Sequence, residues 1–107
     1  MAQLLAYAVI HHDPPQVLAA EDLDVLHRVL AIELVARTRA RDLLPGQAEM
    51  LRAALIEERW GDAVVQWIDI TGVAVDVHSD LRAWTAAELA ADTTEFELQF
   101  TPLFLAE

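Results

Sequence analysis

A chain of 107 residues has the size of one domain and can bury a hydrophobic core without help from disulfides or metal. It holds no cysteine, which excludes disulfide scaffolds, thiolate nucleophiles and cysteine–zinc sites. Its net charge of −11 opposes phosphate backbones, because nucleic-acid binding is driven by Lys and Arg neutralising phosphates.

The charge is unevenly placed. Residues 21–60 carry eight acids and six arginines, whereas residues 61–107 carry nine acids and only Arg82, a net of −8. An acidic half of this kind suits a basic protein partner, or simple solubility. All seven basic residues are arginine and nineteen residues are alanine, the bias of a GC-rich genome. Hydrophobic content of 55% exceeds the usual ~45–50%, which is compatible with a buried contact between copies.

Taken in order, residues 2–12 carry mixed signals. Ala, Gln and Leu favour a helix, and Tyr7, Val9 and Ile10 favour a strand; the helix is preferred. The apolar run from Leu4 to Ile10 has no basic leader and is too short to span a bilayer, which takes ~20 helical residues. A soluble, cytoplasmic protein is expected. Asp13 reads as an N-cap with Pro14 at the first helical position, opening a short helix from Pro14 to Ala19.

A helix over about 21–39 follows, with Glu21, Asp22 and Asp24 at its start and Arg37 and Arg39 at its end, complementing the helix dipole. Its apolar residues spread over more than one stripe, so it needs cover on several sides. That predicts a homo-oligomer, most simply a dimer. Arg37, Arg39 and Arg41 form the one basic cluster, read as a solvated helix end.

The stretch from Pro45 to Gly72 reads as one helix, about 46–71, packed antiparallel to the first. Met50, Ala53, Ala54, Trp60, Val64, Trp67 and Ile68 recur at three- and four-residue steps and share a face. Pro45 suits a first turn, and Gly72 the left-handed residue that closes a helix.

Beyond Gly72 the period becomes two. Val73, Val75 and Val77 alternate with Ala74, Asp76 and His78, giving a strand at about 73–78 that Ser79 and Asp80 break. Thr85 and Glu88 form a capping box for a short helix from Ala86 to Ala91. Phe96, Leu98 and Phe100 alternate with Glu95, Glu97 and Gln99 in a second strand, about 95–101. Residues 4–10 could add a third strand, since two alone are marginal. The predicted class is α+β, mainly helical: two long antiparallel helices, a small C-terminal β element and a short helix between its strands, in a single domain.

Chemistry-bearing constellations are sparse. His11, His12 and Asp13, with His27 and His78, are suitable ligand types, but lack metal-site spacing. Glu57 falls on the tryptophan stripe beside Glu58, and pairing with an arginine such as Arg28, Arg52 or Arg59 is its favoured role. Ser79, the only serine, lies in His78-Ser79-Asp80, and adjacency does not make a triad. No cofactor motif is present.

The favoured reading is a non-enzymatic accessory or interaction protein, such as a complex subunit, adaptor or immunity-type inhibitor. It would bind another protein through apolar helix surface and the acidic half, with Asp76, Glu95, Glu97, Trp60 and Trp67 as the contact residues. Neither nucleic acid nor a membrane is an expected partner. The alternative is a small enzyme or metal-dependent protein using Glu57 or Glu58 with His11, His12 and His27.

Overall fold

A computed structural model describes residues 3–89 of the chain. The expected strand at 95–101, with Glu95 and Glu97, lies outside the described residues. Among those described, the class is α+β: a three-stranded antiparallel sheet in the order β2–β1–β3, with helices making up about half of the residues.

β1 (Gln3–Ile10) is the central strand, which corrects the helix expected over residues 2–12. Both of its phases are apolar, so no polar face marked the period. Ala6, Ala8 and Ile10 are fully buried on one side, while Leu5, Tyr7 and Val9 are half-buried on the other. β-branched and aromatic residues fit a pleated surface, and two ladders settle the contest for the strand. A turn containing the cis Asp13–Pro14 bond leads into β2 (Gln16–Ala20). The short helix expected there is therefore a strand, paired Ala8 to Leu18 and Ile10 to Gln16.

α1 (Leu23–Leu30) is capped by Asp22, whose carboxylate accepts from the Val25 N–H at 2.9 Å. The helix continues into a π-helical turn, Ala31–Val35, closed by the Ala36 N–H donating to the Ala31 carbonyl at 2.8 Å. Leu26, Leu30, Ala31, Leu34 and Val35 are buried. The small side chains of Ala6 and Ala8 let α1 approach β1 closely. β1, β2 and α3 all pack on this helical segment, so much of the cover that its apolar girth demanded comes from its own chain.

The single long helix expected over 46–71 is two helices. α2 (Pro45–Ile56) and α3 (Trp60–Thr71) meet at Glu57–Arg59. Glu58 adopts a left-handed conformation, φ 58°. Its N–H donates to the Leu55 carbonyl at 3.1 Å and the Arg59 N–H to Ala54 at 2.9 Å, the paired bonds of a Schellman stop. Glycine normally takes that position, and a glutamate there hid the boundary. The break resets the helical phase, so α2 turns Leu51 and Ala54 inward and leaves Met50 exposed. α3 packs on α1 and its π-turn, and α2 packs on α3. Pro45 does open α2, and Gly72 (φ 73°) closes α3.

This stop gives a first test. A left-handed residue bearing a Cβ costs ~1–2 kcal/mol, and glycine loses ~0.5–1 kcal/mol through unfolded-chain entropy. Glu58→Gly should therefore raise stability by about 0.5–1 kcal/mol in a reversible urea titration. A clear loss would mean that no such turn exists.

β3 (Val75–Ala83) returns along the open edge of β1. It runs through Ser79 and Asp80, which were expected to end it. Leu5 pairs with Leu81 and Tyr7 with His78, so β3 holds one extra residue as a bulge. Thr85 then caps residues 86–89, its hydroxyl accepting from the Glu88 N–H at 3.1 Å.

Candidate functional site

Among the described residues, the helices that pack on the sheet gather on the side of Ala6, Ala8 and Ile10. Strand pairing fixes what the opposite side presents. Tyr7 lies across from Ala19 and His78, Val9 from Val17 and Asp76, and Leu5 from Leu81. Residues paired across a ladder share a face. Leu5, Tyr7, Val9, Val17, Ala19 and Leu81 therefore form an apolar field that no described helix covers. Val17 is 61% exposed and Leu81 36%.

Polar groups stand at one end of this field. Tyr7 and His78 stack with ring centroids 4.9 Å apart and planes 23° from parallel. His11, two residues past Val9 on the same phase, donates from Nε2 to Asp76 Oδ2 at 2.7 Å. A carboxylate only accepts, so Nε2 carries the proton. The His11 N–H to Ala74 carbonyl bond, 2.9 Å, ties the strand ends together. Both side chains are about half exposed or more, and such a pair contributes ~0–1 kcal/mol.

The other residues singled out in the sequence are dispersed. Trp67 is buried, 7% exposed, and its Nε1–H donates to Thr38 Oγ1 at 2.8 Å, while the Thr38 hydroxyl donates to the Leu34 carbonyl at 2.8 Å. Trp60 is half-buried, with the Arg28 guanidinium 5.7 Å from its ring centroid, a cation–π distance. The His27 ring lies against Gly61, where a Cβ would meet it at 3.5 Å.

Glu57 is exposed and takes a 2.7 Å hydrogen bond from Arg59 Nε; Asp62 takes another from the same guanidinium at 3.3 Å. Glu57, then Asp62, holds the Arg59 pKa above the ordinary arginine value. No hydrogen bond or ion pair joins Glu57 or Glu58 to a histidine. Among the described residues, no three His, Asp or Glu side chains gather to hold a metal ion. No described helix is long and apolar enough to cross a membrane.

A cleft of about 160 Å³ lies between the end of the π-turn and α2, lined by Val35, Thr38, Leu43, Leu51, Arg52 and Leu55 among others. Arg52 at this cleft pairs with Glu49 at 3.2 Å. Neither a carboxylate nor a histidine lines it, so it offers no acid–base pair.

Comparison with known proteins gives no relatives. The chain matches no protein family, no curated protein and no solved structure. The sequence points to Asp76 as a candidate contact but not to Leu5, Tyr7, Val9 and Val17, because helix is preferred there for residues 2–12 and 14–19. The available signal was the apolar content of both phases of β1, which in a strand means two faces that avoid water.

Proposed function

We propose that the chain is a non-enzymatic protein-interaction module that docks another protein on the open face of its sheet. One observation carries this reading: an apolar field of six residues, spanning all three strands, on the side of the sheet opposite the described helices. Contiguous exposed apolar surface rimmed by polar groups is the usual mark of an interaction site. Tyr7 at its centre is an aromatic of the kind that anchors interfaces. Asp76 belongs to this surface, as do His11 and His78. Trp60 and Trp67 serve the helical layer beneath it, and the buried residues of the first helix pack against its own sheet and α3.

The test uses the edge strands, so that the central strand and the core stay intact. Val17→Ser with Leu81→Ser should keep the far-UV circular dichroism and shift melting by only a few degrees. Capture of the partner that wild-type protein retrieves from native extract should fall at least tenfold. Met50→Ser with Ile56→Ser, exposed on α2, is the control and should capture normally. Loss of capture by the α2 pair, with the sheet pair unaffected, would move the interface to the helices and end this proposal.

A further inference from the structure

We infer that the open face takes a basic amphipathic segment of the partner, one that seats apolar side chains on the sheet and brings at least one arginine to Asp76. The inference rests on the docking role of this face and adds the chemistry of what docks.

The first support is the distribution of charge. Six of the seven arginines lie between residues 28 and 59, in the helical layer and its connections. Arg82 pairs with Leu4 and so lies on the phase of Ala6 and Ala8, away from the open face. No arginine or lysine therefore stands on this face among the described residues. The acids around it are Asp76 on the face, Asp80 in the bulge at its edge and Asp13 in the turn at its end. An apolar field edged by acids and histidines, with no arginine or lysine on it, attracts a partner whose apolar stripe is flanked by cations, and opposite fields speed that association.

The second support is local geometry. His11 occupies one oxygen of Asp76, Oδ2, which leaves acceptor capacity on an exposed carboxylate. Two residues along the same face, about 7 Å at ~3.3 Å per residue, His78 lies stacked on Tyr7. A carboxylate beside a flat pair of rings suits a guanidinium, which bonds in its plane and stacks on its faces. An ammonium exploits only the charge.

The same charges weigh against two other occupants. A second copy would set acidic rim against acidic rim. The chain's own residues 90–107 carry four acids and no base, so they would bring like charge to the face.

The experiment uses full-length protein and two synthetic peptides of about fourteen residues, four helical turns by the 3.6-residue repeat. They share one leucine stripe; the polar positions are arginine in one and glutamate in the other. The arginine peptide should bind at least tenfold tighter, less so at high salt. Its amide shifts should centre on Leu5, Tyr7, Val9, Val17 and Leu81. Asp76→Asn should weaken it about five- to tenfold, whereas Glu49→Gln, the same charge change on α2, should leave affinity unchanged. Equal effects of the two substitutions would reduce the result to bulk charge and overturn the inference, as would shifts centred on α2 or α3.

Light scattering of the free protein separates the remaining occupant. A dimer mass that reverts to monomer in Val17→Ser/Leu81→Ser would show a second copy on the face and overturn the basic-partner assignment. If that variant loses the native partner while the arginine peptide ignores the face, the docking role stands and its proposed chemistry falls.

Discussion

Trp67→Ala should destabilise the protein by about 3–5 kcal/mol, the range for emptying a buried aromatic site. The side chain is 7% exposed and packs with Val64 and Ala63 of α3 in the cluster that contains Leu30, Leu34 and Val35. Truncation removes its apolar burial and leaves a cavity that rigid neighbours fill only partly. It also deprives the Thr38 hydroxyl of the indole N–H, a bond worth ~0.5–1.5 kcal/mol. Trp67→Phe separates the two contributions: it keeps most of the bulk, loses the donor, and should cost about 1–2 kcal/mol by the same figures. Reversible denaturant titration measures both. A loss below about 1 kcal/mol for Trp67→Ala would place the ring outside the core.

The second large effect contrasts neighbours on the helix that carries the sheet. Leu30 is fully buried where α1 passes into the π-turn, and Ile32, two residues on, is 47% exposed. Leu30→Ala should cost about 2–5 kcal/mol, the usual range for a leucine removed from a packed interior. Ile32→Ala should cost under ~1 kcal/mol, since surface positions tolerate change. From sequence the two are equivalent members of an evenly apolar helix. Comparable losses at both positions would mean that the helix is rotated about its axis, and the layer order would fail with it.

The fold was legible where a residue type admits one use. Pro45 and Gly72 marked a helix start and stop because a missing N–H and a free left-handed conformation have few other roles. Thr85 was readable as a cap, and the alternation after Gly72 as a strand. Legibility failed where local preference was overruled by distant partners. Gln3–Ile10 alternates between two apolar faces, so its period of two is invisible until β2 and β3 are known to flank it. Glu58 stops a helix in glycine's place, and only its backbone reveals the stop. Of the proposed face, the sequence points to Asp76 because its polar phase is visible. The apolar field is hidden, because its six residues come from three strands, the third of which begins more than fifty positions beyond the second.

The bulge between His78 and Leu81 has a consequence for how the molecule behaves in crowded solution. An outer strand with its hydrogen-bonding groups in even step is a template on which foreign chains add and fibres grow. The extra residue in β3 throws those N–H and C=O groups out of step midway, and Asp76, Asp80 and Arg82 make the same strand costly to bury. Among the described strands β3 is the longest, and without that irregularity its outer edge would be the readiest template. Stickiness is thereby diverted from the backbone edge, where recognition is indiscriminate, to side chains on the open face, where shape and charge can choose.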